Sequence, residues 1–402
     1  MNNNPLSRFC LPILWRGLPL ILLVCGVMQS CSTDDTQNIE SSLFQNDGIE
    51  FFLEDESVTS ESTRGIYPIA STVEKYAVFS FYNENKKAHV KNCIMTKKAD
   101  GTWKKSKIMN FPGKNALDFY MLHPSFDDAD SYEMTMDDKY FVLTMPDSNY
   151  KQKDFMFSSL INKTKEQTNN KITFKMKHLF SYLRFLCKLT NEQIEVYVHS
   201  IRLHNLQSKG TFTYNRDKER AGTWDISTTD YDTYTFELPK DSMLATNKQL
   251  SLHTSDSLLF VMPQKPANIW DPDVMPKTSD ADAAHHAYVE VVCRVWKKRS
   301  DADIAANVPP AADAYVGCSA TTWASVYYPL KAGTAWTSKV TPYSGNYNVI
   351  ITFTGGYTAD GEDFLKKYTD DELEMSSDEP VESFIVTVPW EDDTTNSVSF
   401  NM

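Results

Sequence analysis

The sequence lacks the short patterns that identify common catalytic sites. It contains no GxSxG nucleophile turn, no glycine-rich phosphate loop and no HExxH zinc motif. Its seven cysteines include no CxxC pair and no Cys/His cluster, which argues against a zinc site. We therefore predict no catalytic activity, no metal and no other cofactor.

Two weaker patterns point toward chemistry, and each has a plainer interpretation. His285 and His286 follow Asp280 and Asp282 and could bind a metal, but an Asp- and Ala-rich stretch of this kind is typical of a solvated loop. The adjacent acids of "YTDDELE" could suggest glycosidase carboxylates, although neighbouring acids on a charged stretch usually form a solvated face.

The sequence also lacks an apolar run long enough to span a membrane. The apolar run "LPLILLVCGVM" has about a dozen residues, whereas a spanning helix needs roughly 20. Arg8 and Arg16 precede most of it, which is the pattern of an export signal. We predict a signal peptide over residues 1–30. An ordinary secretory signal and an uncleaved membrane anchor are the alternatives.

The cysteine that follows the apolar run suggests how the exported protein is anchored. The small residue Ser30 precedes Cys31, as signal peptidases require, and the arrangement resembles the lipobox of bacterial lipoproteins. We therefore predict that Cys31 is lipidated, in preference to Cys25, which follows Val24. The acidic pair after it, "DD" at 34–35, resembles the signal that sends lipoproteins of Bacteroidales-type bacteria to the outer surface of the outer membrane.

Positive charge is scarce beyond the signal peptide. The chain has 40 Lys and Arg against 53 Asp and Glu, and residues 1–30 hold two of the arginines, so the exported part carries 38 − 53 = −15. Nucleic acids and anionic membrane surfaces would repel such a chain. Its length of roughly 370 residues suggests two domains.

Four further cysteines lie in the exported part, at Cys93, Cys187, Cys293 and Cys318. An even number in an oxidising compartment permits disulfides, but spacing alone does not pair them. Cys187 and Cys293 alternate with apolar residues, which favours buried free thiols on strands.

No long stretch keeps the 3.6-residue period of a helix, and alternation with a period of two dominates. The clearest predicted strands are "AYVEVVCRVW", "YNVIITF" and "FIVTVPW". Between Ile172 and Leu189 the apolar phase switches from even to odd positions, which predicts two strands joined near "KHLFSY". Many short strands separated by Gly, Asn and Asp turns predict an all-β protein built of sandwiches.

Three stretches of the C-terminal half are predicted to be long surface excursions. They are "DPDVMPKTSDADAAHH", "SDADIAANVPPAADA" and "TADGEDFLKKYTDDELEMSSDEP", the last with a short helix near residues 364–368. Nearby, "WASVYYP" carries aromatic residues that could stack on sugars or belong to the core, namely Trp323, Tyr327 and Tyr328.

An ordered series of segments resembles the fimbrillin family, the Mfa-like and FimA-type fimbrial subunit lipoproteins of Bacteroidales. The series is "IEFFL", "STRGIY", "TWKKSKIMNFPGKNALDFYMLHPS", "KDFMFSSL", "ITFKMKHLFSYLRFLCKL", "VYVHSIRLHNLQSKGTF", "GTWD", "LLFVMPQ" and "VTVPW". The resemblance implies two tandem transthyretin-like β-sandwich domains. We expect a tether over 31–48, an N-terminal domain over 49–225 and a C-terminal domain with long loop insertions over 226–402.

The resemblance also implies that the protein is a structural subunit, of the stalk or the tip, of a cell-surface fimbria. In the family an arginine-specific protease removes the N-terminal segment with its first strand, and a strand of a neighbouring subunit takes its place. Arg64 is the only arginine between Cys31 and Arg184, so it is the predicted cleavage site, with a solvated loop residue as the alternative. The expected partners are other fimbrial subunits, the outer membrane through the lipid, and a host or bacterial surface ligand.

Two other functions are retained as alternatives. The first is a surface lipoprotein that binds carbohydrate or a host ligand without polymerising, and the second is a surface hydrolase. A first strand that can be detached after a lone arginine favours assembly. The apolar face of that strand consists of Ile49, Phe51 and Leu53.

Overall fold

Strands dominate the computed structural model of the chain, which confirms the predicted all-β class. The structure describes residues 48–53, 73–100, 102–125, 133–136, 140–149, 151–189, 191–219, 221–243, 250–252, 259–266, 268–275, 278–330, 346–353, 356–365 and 383–387. Within these ranges no helix is both long and apolar enough to cross a bilayer.

The described residues form 21 strands. In chain order they are β1 (Glu50–Leu53), β2 (Lys75–Tyr82), β3 (Ala88–Lys97), β4 (Trp103–Lys105), β5 (Leu117–His123), β6 (Glu133–Met136), β7 (Tyr140–Thr144), β8 (Met156–Lys163), β9 (Lys171–Phe174), β10 (Lys177–His178), β11 (Ser181–Leu189), β12 (Ile194–Gln207), β13 (Lys209–Tyr214), β14 (Gly222–Ile226), β15 (Tyr231–Met243), β16 (Leu250–Ser251), β17 (Leu259–Val261), β18 (Tyr288–Lys297), β19 (Ala324–Pro329), β20 (Asn346–Phe353) and β21 (Ser383–Thr387).

These strands make five sheets. The largest has six strands in the order β10-β8-β5-β2-β3-β4. Two four-stranded sheets have the orders β14-β13-β7-β6 and β15-β12-β18-β19, and a further sheet has the order β16-β11-β20-β21, with β17 also paired to β11. The fifth sheet is the parallel pair β1-β9.

The six-stranded sheet is buried on both faces. Along β2, Tyr76 and Val78 belong to one apolar cluster, while Phe79 and Phe81 belong to another. The first cluster includes residues of β1 and β9, and the second continues into sheet β14-β13-β7-β6, where Tyr214 lies 4.6 Å from Tyr120 between ring centroids. A strand with two buried faces has a near-continuous apolar sequence, as "KYAVFSFY" does.

Sheets β15-β12-β18-β19 and β16-β11-β20-β21 contribute to the same large core. Phe185 of β11 and Phe236 of β15 approach to 4.9 Å between ring centroids. Val289, Val291 and Cys293 of β18 are each fully buried on the face toward this core, as the alternation predicts.

The predicted switch of phase after Ile172 is confirmed. The even positions Ile172 and Phe174 lie on β9 and pack in the cluster beneath β1, whereas the odd positions Leu183 and Phe185 lie on β11 in the large core. β10 lies between them in sequence and joins the six-stranded sheet.

Helical structure is limited to short pieces in the described ranges: the helices Lys165–Thr168, Thr278–Ala283 and Asp301–Ala305, and a 3-10 turn at Ala312–Ala314. Thr164 begins the first of them with a capping box, in which its side chain accepts from the Gln167 N–H. Two of the helices and the 3-10 turn fall in the predicted excursions. Of the third excursion the structure describes only residues 358–365, and Phe364 there is buried.

The proposed domain division between residues 225 and 226 stays a prediction. Residues 47–402 form one compact unit. Strands from before and after residue 225 pair in one sheet, because β12 lies between β15 and β18.

Candidate functional site

The first strand runs parallel to β9 and covers one face of the six-stranded sheet. Four residue pairs set the register, with Phe51 beside Ile172 and Leu53 beside Phe174. This confirms that "IEFFL" forms a strand. The direction of the pairing could not be foreseen, because it depends on where the intervening chain of more than 100 residues brings β9.

Backbone hydrogen bonds hold the beginning of this strand on two sides. The Ile49 N–H donates to the Met109 carbonyl at 2.8 Å, and the Glu50 N–H donates to the Asn170 carbonyl at 2.7 Å. On the Met109 side, the Lys105 ammonium donates to the Ile49 carbonyl at 2.6 Å. β1 therefore lies between β9 and the segment that follows β4.

The side chains of the strand alternate between core and solvent. Ile49 is fully buried and Phe51 is 6% exposed, whereas Phe52 is 44% exposed. The Phe51 ring lies 6.0 Å from Phe119 and 5.9 Å from Phe174 between centroids. Burial of a large apolar side chain contributes about 1.5–3 kcal/mol. The two buried residues, Ile49 and Phe51, therefore provide most of the free energy that keeps the strand in place.

We call the surface that β1 covers the β1 groove, formed by β9, Lys105, Met109 and Phe119. Among the described strands, β9 pairs only with β1. Removal of β1 would leave an unpaired strand edge beside exposed apolar pockets, which is the arrangement that recruits another strand.

The second predicted site falls outside the described ranges. Arg64 lies between the end of β1 at Leu53 and the start of β2 at Lys75, and Cys31 precedes β1. Both assignments remain predictions.

A match to a known protein family covers more than half of the chain. The model of the fimbrillin-like family matches residues 60–291 of the 402. The chain belongs to the fimbrillin-like family. It is thereby a fimbrial or surface-adhesin subunit, and its place is the cell surface. The match begins after β1 and includes Arg64 and the strands of the β1 groove.

Solved structures with a similar chain path include two fimbrial proteins. A fimbrial protein from Bacteroides vulgatus is 12% identical, with a TM-score of 0.48 and coverage of 85% of this fimbrillin-like chain and 99% of its own. The fimbrial anchor protein Mfa2 from Porphyromonas gingivalis is 8% identical, with a TM-score of 0.33 and coverage of 76% and 90%. No curated protein matches the chain.

The two histidines considered as metal ligands make other contacts. His285 stacks on Tyr231 with 4.4 Å between ring centroids, and Nδ1 of His286 lies 3.0 Å from the Ile269 carbonyl oxygen. Across the described ranges, no three His, Cys, Asp or Glu side chains come together as a metal site would require. The "YTDDELE" acids lie outside those ranges.

The aromatic residues considered for sugar binding have three different environments. Tyr328 is fully buried in the core. Tyr327 packs against Trp270 at 6.5 Å between ring centroids. Trp323 is half-buried, with the His199 ring stacked at 4.3 Å and the Arg294 guanidinium 3.9 Å from its centroid. The three do not form one sugar-binding surface.

The first predicted excursion is not wholly on the surface. Trp270, just before it, and Ala281 within it are fully buried, and Trp270 packs against Tyr288, Tyr327 and Tyr357. We call these four rings the Trp270 cluster. A single Trp beside an Asp- and Pro-rich stretch has no periodicity, so no sequence signal identified it.

A buried carboxylate lies beside this cluster. Glu290 accepts from the Ser325 hydroxyl at 2.6 Å and lies 2.7 Å from Nε2 of His204, which stacks on Tyr288. Burial by itself would raise the pKa of Glu290, but the hydrogen bonds from His204 and Ser325 outweigh it and leave the pKa lowered. Both carboxylate oxygens are therefore engaged by neighbouring side chains.

The four cysteines among the described residues, Cys93, Cys187, Cys293 and Cys318, are free. Cys93, Cys187 and Cys293 are buried, and burial raises the pKa of the Cys187 and Cys293 thiols well above the ordinary value. Neutral buried thiols are poor nucleophiles, so these side chains act as small apolar residues.

Proposed function

We propose that this chain is a structural subunit of a surface fimbria that assembles by strand exchange, without catalytic activity. Cleavage after Arg64 would leave β1 attached through non-covalent contacts alone. The pairing of β9 with β1 alone among the described strands is the observation that carries the proposal. A vacated groove can regain both its hydrogen bonds and its apolar burial only from another extended segment.

We propose that residues 397–402 of a second copy take the place of the first strand in the β1 groove. β1 and the two residues before it read "GIEFFL" over 48–53, and residues 397–402 read "SVSFNM". In this alignment Val398 replaces Ile49, Phe400 replaces Phe51, and Met402 replaces Leu53. Each inward position keeps an apolar residue of similar size.

The other candidate donor was the segment "VESFIVTVPW". Its residues 383–387 form β21, which pairs antiparallel with β20 within the same chain. Its use as a donor would break that pairing, whereas 397–402 lies beyond it in sequence. This comparison favours 397–402.

The test is cleavage of the purified chain by an arginine-specific protease. We expect the cleaved wild type to form polymers in size-exclusion chromatography and electron microscopy, and Arg64→Ala to remain monomeric. Deletion of residues 397–402 should block polymerisation without preventing cleavage. Cleavage at Arg64 that yields a stable monomer at high concentration would refute assembly through this groove.

We further propose that the subunit reaches the outer membrane as a lipoprotein acylated at Cys31. The apolar run that ends at Ser30 supports the lipid anchor. Replacement of Cys31 by Ala should release the protein from the membrane fraction. Membrane attachment that persists in this variant, with no acylated peptide from the wild type in mass spectra, would contradict the assignment.

A further inference from the structure

One charged side chain faces the apolar surface beneath β1. Lys105 pairs in register with Met95, which is 2% exposed in the cluster under β1. Its neighbour Lys104 pairs with Thr96 and, because side chains alternate along a strand, faces the other way. Lys105 therefore occupies a position where an apolar residue would ordinarily pack.

Its ammonium contacts both the backbone and a ring of the first strand. Nζ donates to the Ile49 carbonyl at 2.6 Å and lies 6.0 Å from the centroid of the Phe51 ring. A hydrogen bond from a charged donor is stronger than a neutral one, and the ring face adds a smaller attraction.

The residue before Ile49 has little room beside this ammonium. A Cβ atom placed on Gly48 would lie 3.4 Å from the Lys105 Nζ and 3.3 Å from the Met109 carbonyl oxygen. The distance to the Met109 oxygen is slightly tighter than most Cβ contacts, and the distance to the ammonium is an ordinary van der Waals contact. The residue before the bound carbonyl therefore fits closely, and a small side chain is favoured there.

We propose that Lys105 sets the register of the strand in the β1 groove. It binds the carbonyl of the residue whose side chain fills the Ile49 pocket, and the close fit favours a small residue one position earlier. The groove thereby favours a strand in which a small residue is followed by an apolar residue, then any residue, then a second apolar residue. For β1 this rests on the contacts above. For a second copy, the register role of Lys105 rests on the proposed function, in which Ser397 is the small residue before Val398.

The first test uses the intact chain and hydrogen exchange at the β1 amides. In Lys105→Met, which keeps an unbranched side chain one atom shorter, we expect the Ile49 and Glu50 amides to exchange about tenfold faster, because a charge-assisted hydrogen bond is lost. Lys105→Arg should restore protection, and Lys104→Met should behave as wild type. Unchanged exchange in Lys105→Met, or acceleration that extends equally to β2, would overturn the proposal.

The second test uses synthetic peptides taken up by the chain cleaved after Arg64. A peptide of residues 47–54 with a thioamide in place of the Ile49 carbonyl should bind several-fold more weakly than the natural peptide to the wild type, since sulfur is a weaker acceptor. The same change should have no effect on binding to Lys105→Met. Equal weakening in both proteins would show that Lys105 does not bind this carbonyl.

A peptide of residues 396–402 separates this proposal from the proposed function. If the 47–54 peptide binds and shows the coupling while the 396–402 peptide does not bind, assembly through that segment fails and the role of Lys105 stands. If neither peptide binds, exchange between copies fails, and hydrogen exchange on the intact chain decides the role of Lys105.

Discussion

β1 and the segment that carries Trp270 both cover apolar residues of a sheet from outside that sheet. β1 has one pairing partner, and the inward side chains are the buried Ile49 and Phe51 and the partly buried Leu53. The Trp270 segment exchanges backbone hydrogen bonds with Ala287, directly before β18, and the Trp270 indole donates to the Met275 carbonyl at 2.6 Å. A second segment closes over it, since Tyr357 packs on Trp270 and the Thr278 N–H donates to the Ala359 carbonyl.

β1 and the Trp270 segment differ in how many contacts must break together before the segment can detach from the sheet. The Trp270 cluster joins residues of β18, β19 and two connecting segments, so removing one segment disturbs the others. The contacts of β1 belong to six consecutive residues, 48–53, and can be lost in one step. The comparison indicates that the Trp270 segment is held by several parts of the chain, whereas β1 is held by one short segment, as the proposed release by cleavage requires.

The largest expected effect is that of Trp270→Ala. Truncation of a fully buried aromatic residue costs about 3–5 kcal/mol of unfolding free energy, through lost burial and the cavity that remains. We expect the denaturant midpoint and the melting temperature to fall together. Val274→Ala in the same segment is the matched control, because Val274 is 79% exposed and should change stability by less than about 0.5 kcal/mol.

A smaller global effect is expected for Phe51→Ala. If β1 is a separable cover, its loosening should raise hydrogen exchange within residues 49–53 and 171–174 while the rest of the chain keeps most of its stability. We expect a loss of about 1.5–3 kcal/mol, the contribution of side-chain burial alone, because a cover that loosens leaves no closed cavity. This loss is below that of the Trp270 variant. Phe52→Ala, at a residue 44% exposed, is the control. A loss equal to that of Trp270→Ala would show that β1 belongs to the permanent fold.

The smallest expected effect is a dependence on pH near the Trp270 cluster. The pKa of Glu290 is lowered in the folded state, because the hydrogen bonds from His204 and Ser325 outweigh the effect of burial. Its contribution to stability is therefore present above the unfolded pKa and is lost as pH falls through the lower folded pKa. Glu290→Gln should flatten the acid limb of a stability curve. An identical curve of stability against pH for both proteins would show that Glu290 does not cause this dependence.

The sequence predicted the elements whose pattern is local. β18 alternates cleanly, and β1 shows three apolar residues at spacing two, so both were predicted as strands. The same alternation placed Glu290 on the solvent side of β18, yet Glu290 is 5% exposed because the Trp270 segment and its neighbours lie over that face. Residues such as Trp270 and Lys105 contact residues that are distant in the sequence. The local spacing of apolar residues carries no information about such contacts.

The burial of the six-stranded sheet on both faces has a consequence for mutational tolerance. Residues 76–81 of β2 and 117–122 of β5 are all buried, so neither strand offers a central position where a charged side chain could reach water. β3, in the same sheet, alternates and has exposed Lys91. A deep substitution scan should therefore reject polar replacements at the apolar central positions of β2 and β5, and at alternate positions of β3. Ser80 and Asp118 are the native polar residues in these runs, and each is hydrogen-bonded where it is buried.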